Sequence, residues 1–359
     1  MTENSGQQEQ AARRLREGSG RAKLEEVAHL AGVSTATVSR AYNMPEKVSL
    51  QTREKIFAAA KSVGWVPNAA GRALASNRSH IAGVIIPTLD NEIFSHQVGA
   101  MQRVFAEHGL NLLIACSNYN PDLGLQQAMA MIERGVEAMA LAGETHPPAL
   151  YEHLERLAIP YVLTYAYRPG ADHAMVGFDN EAAFARMTNH LIELGHRRFA
   201  VVMQPKDDND RVEARLRGIE KALASAGLSL DGQSMMIGKA SLDFGMDCAG
   251  RLAALPVPSR PTAIICGNDT LALGVQMGIA RAGYQVPEDF SVTGFDDLEL
   301  SSRIRPALTT MFVDNRQIGR IAAEQLVTCL TGKSDRPQSH EVAVSLRLRE
   351  STAAPAQEP

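Results

Sequence analysis

The chain is poor in the features that mark secreted, membrane-bound or catalytic proteins. Its 359 residues include four cysteines, Cys116, Cys248, Cys266 and Cys329, with no close pair among them. That scatter argues against a disulfide framework or a zinc site and fits reduced thiols in a cytosolic protein. No apolar run reaches the roughly 18 residues that a bilayer demands. No signal-peptide pattern opens the chain, since residues 1–20 are polar and charged. The expectation is a cytoplasmic protein with no membrane partner. Enzyme signatures are missing too: there is no G-x-G-x-x-G, Walker loop, G-x-S-x-G or H-E-x-x-H. KDDNDR at 206–211 has alternating carboxylates but lacks the glycine and terminal glutamate of a calcium loop, so it reads as a solvated helix cap. The ten histidines are dispersed, and His196, after Gly195, reads as a surface-turn residue. No catalytic residue, cofactor or metal is expected.

A large overall charge is also absent, the net being −4. Its distribution is uneven. Residues 13–80 hold twelve Lys/Arg against five Asp/Glu, a net of +7, and residues 1–12 carry −2. Residues 81–359 are therefore left at −9. A basic head on an acidic body suggests a DNA-binding module joined to a sensor or an enzyme.

The texture of the chain divides in the same place. Residues 1–21 lack apolar periodicity and read as a disordered leader. Helical patterns follow at 24–31, 34–42 and 50–62, then a short one at 68–75. From Ile81, apolar runs at 81–86, 110–115, 138–142, 160–165, 198–203, 262–267 and 290–295 read as strands. Amphipathic stretches at 92–108, 122–134, 148–157, 180–194, 211–226, 243–254, 269–282 and 316–331 read as helices. Alternation of this kind predicts parallel sheets covered on both faces. About 270 residues of it exceed one doubly wound sheet, so two lobes with a cleft are expected. The residues after 350 read as a frayed tail.

The run 24–42, LEEVAHLAGVSTATVSRAY, has the makings of a helix-turn-helix. Leu24, Val27, Ala28 and Ala31 form one apolar face, Gly32 turns the chain, Val33 fills the gap and Ser34 caps the second helix. That helix buries Val38 and Ala41. It turns Thr35, Ala36, Thr37, Ser39 and Arg40 outward, a surface suited to a major groove. Together with VSLQTREKI, GWVPNAAGRALA and IAGVIIP, this run resembles the LacI/GalR family of bacterial regulators, and the likeness extends to about residue 350.

The resemblance implies a division into leader 1–21, helix-turn-helix domain 22–66, hinge and linker 67–79, two-lobed ligand-binding and dimerisation domain 80–350, and tail 351–359. The fold class it implies is an N-terminal all-α helix-turn-helix domain plus an α/β periplasmic-binding-protein-like core of two doubly wound parallel-sheet lobes. Thr35, Ala36 and Arg40 would face base edges. Thr37, Ser39, Asn43 and Lys47 would touch bases or phosphates. Residues 68–75 resemble the family's hinge helix, placing Asn68, Arg72 and Leu74 on DNA, with Leu74 as a minor-groove wedge. Such a helix is too short to be stable alone and would fold on binding.

In the body, the resemblance implies a first lobe of 81–178 plus 309–335 and a second of 179–308 plus the last strand. It points to Asp90, Asn91, Phe94, Tyr165, Arg211, Arg215, Asn268 and Asp296 as effector-binding residues, with Asp269 beside them. Carboxylates and amides suit hydroxyls, Phe94 offers a flat wall, and Arg215 suits a carboxylate or hydroxyl. Arg211 either adds a second cation for an anionic ligand or pairs with Asp207 or Asp208. Tyr165 stands where relatives often have Asp, and Ala240 where several have an aromatic ring, so the ligands of relatives do not transfer. The expected protein is a dimeric repressor of double-stranded operator DNA controlled by a small sugar or sugar acid. A solute receptor and a sugar-processing enzyme are the rivals. The basic head opposes the first, and the missing catalytic constellation the second.

Overall fold

The computed structural model describes residues 22–67, 78–230 and 232–356. The expected hinge helix, with Asn68, Arg72 and Leu74, lies outside them, as does the leader. The chain divides into two units, Met1–Ser79 and His80–Pro359.

The described residues of the first unit are mostly helical. Helix α1 (Leu24–Ala31) ends at Gly32, whose φ of 66° lets its N–H reach back to Ala28 and His29. Helix α2 (Thr35–Asn43) starts at Ser34, which accepts a hydrogen bond from the Thr37 N–H, and α3 (Leu50–Ser62) is capped in the same way by Ser49. Val27, Ala28, Val38, Ala41, Ile56, Ala59 and Ala60 form the core, with Val33 and Trp65 packed against it. The Tyr42 ring meets Phe57 and Trp65 edge-on, at 4.9 and 5.3 Å.

The second unit contains two sheets. Strands β1 (Ile81–Ile86), β2 (Asn111–Cys116), β3 (Ala138–Ala142), β4 (Tyr161–Thr164) and β5 (Met175–Gly177) begin the first. Strands β6 (Phe199–Met203), β7 (Met235–Ile237), β8 (Ala263–Cys266), β9 (Ser291–Asp296) and β10 (Thr309–Val313) make most of the second. The chain then returns to the first sheet with β11 (His340–Glu341) and ends in the second with β12 (Val344–Arg347). The strand orders are β11-β5-β4-β3-β1-β2 and β12-β10-β9-β8-β6-β7. Pairing is parallel throughout, apart from β12 on β10. Helices cross between strands: α4 (Glu92–Glu107), α5 (Pro121–Glu133), α6 (Pro148–Arg156), α7 (Asn180–Glu193), α8 (Asp210–Ser225), α9 (Leu242–Ala253), α10 (Asp269–Arg281) and α11 (Asn315–Leu330). The central strands are buried along their length, as strands covered on both faces must be.

Three expectations need correction. Residues 309–313, assigned to the first lobe, form β10 beside β9 in the second sheet; only α11 after it packs on the first lobe, against α4. Residues 351–356, expected as part of a frayed tail, are pinned. Ser351 is fully buried, donates to the Val292 carbonyl (2.6 Å) and accepts from the Thr309 N–H (2.8 Å). His196, expected at a surface turn, is the other half of that anchor: its ring is buried and bonds Thr262 Oγ1 (2.8 Å), Ser291 Oγ (3.0 Å) and the Ala353 carbonyl (2.9 Å). Polar side chains with several partners can be buried cheaply, and local sequence does not show such distant partners. The strands missing from the apolar runs read in the sequence, β5, β7, β10, β11 and β12, are two to five residues long. Their apolar signal is too brief to stand out.

Candidate functional site

In the helical unit, the residues expected on DNA share α2 and the segment after it. Thr35, Ala36, Arg40, Asn43 and Lys47 are exposed, and Thr37 and Ser39 are half-buried. Two of them are held by neighbours. Thr37 Oγ1 lies 2.9 Å from Ser34 Oγ, and Asn43 Nδ2 donates to Ser39 Oγ at 3.2 Å. Val38 and Ala41 on the opposite face are buried, so the helix cannot roll without opening its core. The result is a small-residue surface with one guanidinium, shallow enough to approach base edges.

In the larger unit, the carboxyl ends of strands from both sheets face one cleft. This is where open α/β sheets take ligands. Asn91, Phe94, Tyr165, Arg211, Arg215, Asn268 and Asp296 line it together, around a narrow space partly open to solvent. Asp90 does not join them; it is exposed, and its N–H donates to Thr88 Oγ1. Asp269 is buried elsewhere. Its carboxylate accepts from Ser301 Oγ (2.6 Å), Thr310 Oγ1 (2.5 Å) and the Leu298 N–H (2.8 Å), so it ties the loop after β9 to the second sheet. Ala240 packs in the second lobe's core and is not part of the lining.

The cleft floor is a chain of fixed contacts. Arg215 Nε donates to Asn180 Oδ1, and its Nη1 to the Gly267 carbonyl, each at 2.9 Å. Its guanidinium lies 4.3 Å from the Phe295 ring centre and 5.3 Å from that of Phe184. Asn180 Nδ2 donates in turn to the Tyr165 carbonyl (2.9 Å), and Tyr165 Oη to the Ile93 carbonyl (3.0 Å). Phe94 packs edge-on to Tyr165, with ring centres 5.2 Å apart. Asn91 and Asn268 cap α4 and α10 through their side-chain oxygens, which leaves their amide nitrogens as the remaining donors. Tyr165 and Asp296 both have positive φ, 66° and 110°. Backbone strain of this kind persists where surrounding structure enforces it, commonly at ligand sites.

Electrostatics in the cleft follow from burial. Burial lowers the Arg215 pKa to about 10, with Asp296 opposing the shift and Arg211 adding to it. Burial also raises the Asp296 carboxyl well above the ordinary range, and Arg215 partly offsets this. Arg211 is 9% exposed and pairs with neither Asp207 nor Asp208; the carboxylate it approaches is Asp210, at 3.8 Å. Sequence reasoning missed Tyr119, Gln204 and Asn209, which also line the cleft. Each follows the carboxyl end of a strand, β2 or β6, and that position was the available signal. Gln204 Oε1, Asn209 Oδ1 and Arg211 Nη1 are buried without a hydrogen-bond partner. Unpaired polar atoms around a cleft are what a polar ligand would satisfy.

Comparison with known proteins matches this division. Residues 23–68 match the profile for bacterial regulatory proteins of the lacI family, and residues 188–352 that for a periplasmic binding protein-like domain. The HTH-type transcriptional repressor CytR of Escherichia coli K12 is 33% identical over 338 residues, covering 93% of this chain and 97% of the repressor. This chain belongs to the LacI family. The ribose operon repressor of the same strain is 30% identical to this LacI-family protein over 312 residues, covering 86% of it and 93% of the repressor. The lac repressor dimer bound to operator and the anti-inducer ONPF superposes with a TM-score of 0.79 at 26% identity, covering 93% and 100% of the two chains. The family's fold, a helical DNA-binding module followed by a two-lobed α/β domain, is that of this chain. Among the described residues, no helix is long and apolar enough to cross a membrane, and no cluster of His, Cys, Asp and Glu suits a metal ion.

Proposed function

We propose that this LacI-family protein is a cytoplasmic repressor without catalytic activity, that it binds a near-palindromic operator as a dimer, and that a small sugar or sugar acid in the interlobe cleft sets its DNA affinity. The observation carrying this reading is the cleft itself. Residues from both sheets converge there, with three buried polar atoms lacking partners. The lac repressor likeness, a dimer on operator, supports the DNA and dimer parts.

In this reading, Arg40 and the small residues Thr35 and Ala36 meet base edges, while Thr37, Ser39, Asn43 and Lys47 add base or phosphate contacts. Asn68, Arg72 and Leu74, in the segment that resembles the family's hinge, add contacts to DNA. Two half-sites call for two copies. Exposed apolar side chains on the second lobe, Met277 (50%) and Leu300 (55%), and Ile114 on the β2 edge (44%) are candidates for the dimer contact. Effector binding shifts the two lobes and so the spacing of the hinges. Effector and operator affinities are then reciprocally coupled, typically by about 1–3 kcal/mol.

The test is to mix purified protein with sheared DNA from its source, sequence the bound fragments, and repeat with sugars and sugar acids. Enrichment of a near-palindrome whose recovery one compound shifts is the expected result. No enriched sequence under any condition overturns the reading and reopens the receptor and enzyme alternatives.

A further inference from the structure

The cleft holds one cationic donor that the protein itself leaves unused. Arg211 lies in the first turn of the 16-residue helix α8, with its side chain almost wholly buried. Its Nη1 atom is shielded from solvent and donates to nothing. The Asp210 carboxylate, 3.8 Å away, is beyond hydrogen-bond range, and its Oδ1 already accepts from Thr145 Oγ1 (3.1 Å). The guanidinium also lies against the backbone of Gly143, where a Cβ would collide with it. Burying a cation without hydrogen-bonded compensation is costly. Arg215 differs, because acceptors within the protein already fix its Nε and Nη1.

The surrounding atoms describe the rest of a ligand. Gln204 Oε1 and Asn209 Oδ1 are buried acceptors without donors, matching hydroxyl groups. Phe94 gives an apolar wall. The start of α8 adds the positive end of a helix dipole on the Arg211 side. With Asp210 and Asp296 close by, the surplus positive charge is at most one, which fits a monoanionic carboxylate better than a dianionic phosphate. The room between these side chains is small, about 40 Å³, so the ligand is no larger than one sugar unit and enters as the lobes part.

We propose that the effector is a sugar acid of monosaccharide size, its carboxylate held by Arg211 and its hydroxyls by Gln204 and Asn209. This rests on the cleft being the effector site. The specificity lies with Arg211, while Arg215 and Asp296 form a floor that any polyol could use.

Calorimetric titration of the full-length protein tests this, with hexonates, hexuronates, their parent aldoses and hexose 6-phosphates as probes. At least one acid is expected to bind, and to bind roughly ten- to a hundred-fold more tightly than its parent aldose, as suits one charge-assisted hydrogen bond. Arg211→Met should remove that preference, and Arg211→Lys should keep part of it if the Met variant does not fold. An aldose binding as tightly as its acid, a phosphate binding more tightly than any acid, or Arg211→Met leaving the acid's affinity unchanged would each overturn the sugar-acid assignment while the cleft stands. Failure of every acid at millimolar concentration overturns it too. Acid binding untouched by either Arg211→Met or Arg215→Ala places the ligand outside the cleft and defeats both readings.

Discussion

Thr145 and Asp210 hydrogen-bond each other reciprocally across the cleft. Thr145 Oγ1 donates to Asp210 Oδ1 at 3.1 Å and accepts from the Asp210 backbone N–H at 3.2 Å. Thr145 follows β3 of the first sheet, and Asp210 begins α8 beyond β6 of the second. The pair clasps the two lobes beside Arg211. Two neutral or singly charged hydrogen bonds contribute roughly 1–3 kcal/mol net. Thr145→Val keeps the shape and removes both bonds. Effector affinity should fall about three- to thirty-fold, and small-angle scattering should show more open molecules without ligand. Unchanged affinity and scattering would mean the clasp does not govern closure.

Arg40 is the one guanidinium on the exposed face of α2. A bidentate contact from such a side chain to a guanine is worth about 1–3 kcal/mol. Arg40→Ala should weaken operator binding roughly ten- to a hundred-fold in gel-shift assays and leave effector affinity of the isolated protein alone. Arg40→Lys should recover only part, since Lys lacks the planar fork. Equal weakening on operator and random DNA would assign Arg40 to phosphate contact instead.

Asp269 matters for stability, although its position after Asn268 suggested the cleft. Removing its carboxylate strands the buried hydroxyls of Ser301 and Thr310 and the Leu298 N–H. Each lost partner costs about 1–3 kcal/mol. Asp269→Ala should therefore lower the urea midpoint by an amount equivalent to at least about 2 kcal/mol. A variant as stable as the parent would show that the β9 loop finds other partners.

His146 makes the protein acid-sensitive. Burial and the nearby Arg211 both disfavour its cation and lower its pKa from 6.5 to about 4. The unfolded chain takes up this proton near pH 6.5, whereas the folded one refuses it until about pH 4. The stabilisation is thus complete above pH 6.5 and is lost as pH falls through that window. At 1.36 kcal/mol per pKa unit the loss is on the order of 3 kcal/mol. Asp269, raised by burial to about 6, acts oppositely, losing stability as pH rises from 3.8 to 6. Burial also lowers the pKa values of His190 and His196, which share the sign of His146. The difference in unfolding free energy between parent and His146→Gln isolates the one group. It should grow with pH between 4 and 6.5, and a flat difference would mean that the ring is hydrated in solution.

Close helix packing gives another test. At Gly218 on α8 a Cβ would collide with the Glu181 carbonyl of α7. Gly218→Ala gains helix propensity of about 1 kcal/mol but forces these helices apart. Overpacking of this kind costs about 1–3 kcal/mol, so melting should show net destabilisation. A stabilised variant would show that α7 and α8 can separate freely.

The helices, the long strands and the likeness to a regulator family were legible in the sequence. The start of α2 was legible because the Ser34 cap acts within three residues of itself. Long strands were legible because burial on both faces leaves continuous apolar runs, as in IAGVII and AIIC. Most of the cleft was legible through the family pattern, down to Arg215 and Asp296. Tertiary structure alone decided which sheet takes the strand at 309–313, because a buried strand's side chains are equally apolar in either. It also decided that His196 and Ser351 meet beside β9, and that Asp269 faces inward while Asn268 lines the cleft. Arg211 shows the limit most clearly. A guanidinium one turn into a helix looks the same in sequence whether it is solvated, paired or waiting for a ligand; what separates these states is the position of carboxylates and carbonyls on other elements, which only the folded chain brings within reach.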